Sequence, residues 1–404
     1  MLLRFIHSSF IQAMRATLAA LQESRIREVA NAAMGRSDVL PFWFGESDEP
    51  TPQSIRDAAI TSLQRGETFY SHNLGLPELP ELPELREQVA AYASRLRGTV
   101  AVDRIAITSG GVNALMLAMQ ALLDAGDEVV AVTPVWPHLT AQPLVLGARL
   151  RCVPLRPQPD GAWALDMDAL LEAITPGHTH AGGQRAQQPD RLDAVGRGAA
   201  AHLAHCRTTG TWILADEVYE RLYYEPTPHG CAPSFLDIAE PQDRLVVVQS
   251  FSKSFLMTGW RLGWLVMPPS LTHHMGKLVE FNTSCVSVFT QGAGLAALQH
   301  EAEITPRVAG HLRTCRDTLV PLLQALPGVT VAPAKGGIYA FFRLQGQPDS
   351  LALAQRLVAE AGLGLAPGVA FGDEAEGWLR WCFASQDTGR LVEGVVRLKE
   401  WLGL

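Results

Sequence analysis

"SFSKSFLMTGWRLGW", residues 250–264, is the stretch whose reading decides the fold. It continues "RLVVVQ", residues 244–249, an apolar run with the look of a strand covered on both faces. Lys253 therefore stands just past the carboxyl end of a buried strand, with Ser250 three residues before it and Arg261 eight residues after it. In sheets of this kind ligands lie beyond the carboxyl ends of the strands. A hydroxyl and a guanidinium there can share a phosphate while the lysine amine reaches a carbonyl carbon.

The sequence on either side has the same grammar. "RIAIT" (104–108), "DEVVAV" (127–132), "ARLRCVPL" (148–155) and "TWILADE" (211–217) are short apolar runs, separated by helical segments such as "NALMLAMQALLDAG" (113–126). Strands this continuously apolar imply a mostly parallel α/β sheet flanked by helices. After Pro268 long helices take over, then strands mix with helices to the C-terminus, as in a smaller α+β domain. The expected division is an N-terminal extension (1–27), a segment packing with the small domain (28–70), a large domain (71–300) and a small C-terminal domain (301–404). The repeated "PELPELPEL" at 77–85 reads as a lengthened loop, because prolines this frequent cannot occupy a helix interior.

Bulk properties exclude several classes of function. Apolar residues make up 47% and the net charge of -8 is spread along the 404 residues, so there is a core and no basic stripe for nucleic acid. No apolar run approaches the ~20 residues of a membrane span. The six cysteines form no C-x-x-C pair, which argues against a zinc site or a disulfide framework and for a cytoplasmic protein. The first twenty residues are basic, amphipathic and free of acids, as a transit peptide would be, although an extended start or a docking helix has the same composition.

Other strand ends carry complementary chemistry. Asp216 ends "WILAD", where a buried carboxylate needs a cationic partner and a protonated pyridine nitrogen is a natural one; the alternative is an acid capping the next helix. Tyr219 can donate to a phenolate oxygen. Ser109, Gly110 and Gly111 lead from a strand into a helix, aiming free N–H groups at an anion without forming either G-x-G-x-x-G or a P-loop. Trp136 follows the next strand and can stack on a planar ring, or simply fill the core. Arg380 lies inside the aromatic run "GWLRWCFAS", where its fork suits an α-carboxylate or a structural salt bridge. Together with a Schiff-base lysine beside a phosphate anchor, this is the set of groups that pyridoxal phosphate requires.

On these motifs, S-x-x-K with an arginine eight residues later in "MTGWRLGW" and D-E-V-Y, the chain from about Glu28 onward resembles the class I/II aminotransferases. These are fold-type I pyridoxal-phosphate enzymes, and the likeness is to their bacterial aspartate-aminotransferase-like branch. The resemblance implies that Lys253 forms the Schiff base, Asp216 pairs with the pyridine nitrogen, Tyr219 bonds the phenolate oxygen and Trp136 stacks on the ring. It implies that Ser109, Gly110, Gly111, Ser250 and Arg261 hold the phosphate, that Arg380 takes the substrate carboxylate and that Gly45 approaches substrate through its backbone. Tyr70 resembles the tyrosine that reaches the neighbouring subunit's phosphate, which implies a homodimer. The implied reaction is ping-pong transfer of an amino group between an L-amino acid and a 2-keto acid; a β-lyase would use the same residues. No second arginine for a side-chain carboxylate is identifiable from the sequence.

One region departs from the family. An N-P-x-G turn, whose asparagine bonds the phenolate oxygen, should follow a buried strand, yet "GGQRAQQPDRLDAVGRG" (182–198) has neither a strand period nor that turn. A coding sequence for residues 183–196 can be written whose next reading frame gives Val-Asn-Ala-Pro-Asn-Asn-Pro-Thr-Gly. The expectation is a compensated pair of frameshifts over about residues 177–202, tested by reading the genomic DNA. If the chain is genuine as written, the loss of the strand and turn predicts an impaired or inactive homologue.

Overall fold

Strands with no polar face must be covered on both sides, and in the computed structural model of the chain the inner strands Glu128–Thr133, Trp212–Asp216, Leu245–Ser250 and Gly263–Val266 are, while the edge strand Arg149–Pro154 is largely exposed. The structure describes residues 15–75, 85–176, 179–181 and 195–404. Its centre is a seven-stranded sheet in the order Ile105–Thr108, Gly263–Val266, Leu245–Ser250, Trp212–Asp216, Thr179–Ala181, Glu128–Thr133, Arg149–Pro154. Gly263–Val266 runs antiparallel to both its neighbours and every other pairing is parallel. Val246, Val247 and Val248 are fully buried, each contributing about 2 kcal/mol of burial.

Register brings the chemistry to one edge. Gly263 pairs with Ser250 on one side and with Thr108 on the other, so the ends of these two strands stand level. Asp216 pairs with Val248 on the adjacent strand, two residues before Ser250. Helix Gly111–Leu122 starts directly beyond Thr108 and packs back on the sheet.

The smaller sheet is antiparallel, ordered Val329–Val331, Tyr339–Leu344, Trp378–Cys382, Ala366–Pro367. The segment 28–70 divides its packing. Leu40–Pro41 pairs with Leu363–Gly364 of the C-terminal part, and helix Arg25–Ala32 packs on helix Ser350–Ala361. Helix Gln53–Gln64, by contrast, lies against helix Val288–Gln299. The expectation that all of 28–70 packs with the small domain is thus corrected for this helix, whose buried face of Ile55, Ala59 and Ser62 is covered there.

A second correction concerns the strand that the sequence reading lacked. Thr179–Ala181 is a three-residue strand in the central sheet, with Thr179 and His180 paired to Val129 and Val130 on one side and to Trp212 and Ile213 on the other. Three residues are too few to show a periodic pattern. A slot between two formed strands satisfies their backbone whatever their side chains are. The expected N-P-x-G position, the proline repeat before Leu85 and the first fourteen residues lie outside the described residues. Among the described residues no helix is long and apolar enough to cross a membrane, and no group of acidic, histidine and cysteine side chains could hold a metal.

Candidate active site

A cleft of about 260 Å³ opens at the carboxyl edge of the large sheet. Gly45, Gly111, Trp136, Asp216, Tyr219, Ser250, Lys253, Arg261 and Arg380 all line it, drawn from segments that are far apart in sequence. Gly110 adjoins it, and Ser109 lines the neighbouring depression together with Thr258 and Arg261. Tyr70 does not reach the cleft of its own chain; it is 88% exposed.

Lys253 sits in the turn after strand Leu245–Ser250, and its amine donates to the Gly45 carbonyl. The side chain as a whole is half-buried, but the amine is enclosed, and this desolvation lowers its pKa to about 8. Arg380 pushes in the same direction, whereas Cys382, Glu46 and Asp216 oppose the shift. The amine lies 5.9 Å from the centre of the Tyr219 ring. Tyr219 is buried and shares a 2.9 Å hydrogen bond with the hydroxyl of Tyr339. Asp216 is buried at its strand end and accepts from the Val218 backbone N–H at 3.4 Å.

The opposite wall is built for an anion. Helix Gly111–Leu122 has no side-chain cap, so its first N–H groups are not occupied by a capping side chain. Gly110 has φ +87°, and a β-carbon there would strike the Arg261 guanidinium. Arg261 is itself left-handed (φ 54°), as is Leu256 (φ 56°), so the segment after Lys253 holds backbone strain of the kind that gathers at functional sites. The single proton of the Ser250 hydroxyl has two acceptors within reach, Ser252 Oγ at 2.8 Å and Leu262 O at 3.2 Å.

Arg380 comes from the smaller sheet. It is buried, its Nη2 donates to Trp43 O at 2.8 Å, and its guanidinium lies 4.1 Å from the Tyr339 ring centre and 4.5 Å from that of Phe371. Nε and Nη1 are buried with no hydrogen-bond partner among the described residues. A buried guanidinium left with two open donors is costly and accepts a carboxylate readily. Trp136 is stacked on His138 with ring centres 3.8 Å apart, and burial keeps the pKa of His138 below its ordinary value.

Sequence reasoning missed Tyr339, His138, Arg27 and Phe44, which also line the cleft. Tyr339 had a signal: it follows two glycines in "GGIYAFF", and only a glycine at position 45 leaves room for its hydroxyl. Arg27 had none, since a charged residue in the first turn of an amphipathic helix looks like any solvated face.

The uncapped helix, the Gly110 cradle, the enclosed amine and the open donors of Arg380 fit pyridoxal phosphate with an amino-acid substrate. Comparison with known proteins agrees. Residues 37–398 match the family described as aminotransferase class I and II. The chain is 31% identical to the aspartate aminotransferase of Pyrococcus horikoshii, covering 95% of each. It is 30% identical to the valine–pyruvate aminotransferase of Mycobacterium tuberculosis, covering 90% of this chain and 91% of that one. The solved structure of a Thermus thermophilus aspartate aminotransferase mutant superposes with a TM-score of 0.85 at 27% identity, over 96% of this chain and 100% of that one.

Proposed function

The chain belongs to the class I and II aminotransferase family, and from that premise we propose how its cleft carries out the family's pyridoxal-phosphate-dependent transfer of an amino group between an L-amino acid and a 2-keto acid. Bound pyridoxal phosphate supplies the electron sink for the pair of electrons left at the substrate's Cα. Lys253 holds the cofactor through its amine and, once displaced by substrate, is the base that takes the Cα proton and redelivers it. Its depressed pKa of about 8 suits that work, because a useful fraction is unprotonated near neutral pH.

Arg380 orients the substrate by donating to its α-carboxylate from its buried guanidinium. Asp216 pairs with the pyridine nitrogen, and Tyr219, steadied by Tyr339, donates to the ring oxygen. Trp136, backed by His138, stacks on the ring. Ser109, Gly110, Gly111, Ser250 and Arg261 hold the phosphate. Amino acid and keto acid occupy the same cleft in turn, as a ping-pong reaction demands.

The protein acts as a cytoplasmic homodimer in this reading. Phe69, Tyr70 and Phe281 are 82%, 88% and 90% exposed, a large aromatic surface for a monomer, and a second copy would cover it while Tyr70 reaches the neighbour's phosphate. Six free cysteines accord with a reducing compartment.

The observation that carries this reading is the enclosed amine of Lys253 sharing one cleft with Asp216 and with the open donors of Arg380. Lys253 is one of four lysines in the chain, with Lys277, Lys335 and Lys399, so borohydride reduction of the holoenzyme followed by peptide mapping is a clean test. The cofactor should be fixed on the peptide containing Lys253; fixation on any other lysine refutes the assignment.

A further inference from the structure

One cationic side chain of the cleft has no role in the reading above. Four cationic side chains line the cleft: Arg27, Lys253, Arg261 and Arg380. In the reading above Lys253 is used by the cofactor, Arg261 faces the phosphate and Arg380 takes the α-carboxylate. Arg27 is left over.

Arg27 is exposed to the cleft in the first turn of helix Arg25–Ala32 and forms no ion pair among the described residues. Its sequence neighbour Glu28 is engaged by Arg25 at 2.9 Å and receives a 3.1 Å hydrogen bond from Gln355. The guanidinium lies 4.9 Å from the Phe44 ring centre, a contact that orients the planar fork without occupying its N–H edges. Its helix is packed on the C-terminal part of the chain rather than hanging free.

We propose that Arg27 is a specificity-determining residue that binds the side-chain carboxylate of the substrate, so that the preferred substrates are acidic L-amino acids and their dicarboxylic keto acids. This inference rests on the aminotransferase reading. Arg380 grips the end that all amino acids share, and Arg27 reads the end that differs.

The test measures kcat/KM on the holoenzyme for aspartate and glutamate against their neutral amides, in the wild type and in R27Q and R27K. The wild type should favour the acids. R27Q should lower the acid-to-amide ratio about 30-fold, the scale of one charge-assisted hydrogen-bonded pair, and R27K should restore part of it. Calorimetric binding of succinate against butyrate to the same proteins should show the same loss of preference without turnover. A wild type that favours the amides, or a ratio that changes less than about threefold in R27Q, overturns the role of Arg27 while leaving transamination intact. A wild type inert toward every amino acid overturns the aminotransferase reading itself.

Discussion

The two ends of the cleft are held in opposite ways. At the cofactor end most groups sit at or just past the ends of strands in one sheet, and some already satisfy one another, as in Ser250 with Ser252. At the substrate end the groups come from the N-terminal segment and the smaller sheet, and Arg380 keeps two buried donors open. The first end is assembled by register and the second by the packing of distant segments. Cofactor residues are therefore expected to affect occupancy and proton transfer, and substrate residues to affect recognition.

The sharpest way to break that division is at Lys253. Lys253→Ala should lower turnover by at least ~10⁴-fold, because both the covalent hold and the base are lost; the check is the rate of keto-acid formation, with circular dichroism showing the fold intact. Arg380→Ala should cost about 10³-fold in kcat/KM, and Arg380→Lys should recover only part, since an ammonium cannot reproduce the fork.

Acidity probes the cofactor end. The amine must be unprotonated to attack a carbonyl, and its pKa is about 8. Capture of pyridoxal phosphate by apoenzyme should thus slow about tenfold per pH unit below that value and level off above it, as followed by stopped-flow absorbance. Gly110→Ala places a β-carbon against Arg261 at a positive φ, so cofactor affinity should fall about tenfold in a titration. The smallest effect is expected at Tyr219→Phe, about fivefold in kcat, with Tyr339→Phe smaller still because it acts through Tyr219.

The same contrast explains what could be read in advance. The cofactor end was legible because each of its residues stands beside a marked strand end: Lys253 after "VVVQS", Asp216 closing "WILAD" and Ser109 to Gly111 after "RIAIT". Arg380 stood out as a charge within an apolar strand. Arg27 was invisible, since only tertiary packing brings helix Arg25–Ala32 to the cleft. The short strand Thr179–Ala181 was missed because its neighbours, not its own side chains, define it.

Half-reaction spectroscopy on the holoenzyme tests the central claim most directly. An amino acid alone should change the cofactor's absorbance and release one equivalent of its keto acid per subunit, and a second keto acid should restore the original spectrum. Release of ammonia with no recovery on adding a keto acid, or no response to any amino acid, would contradict the account.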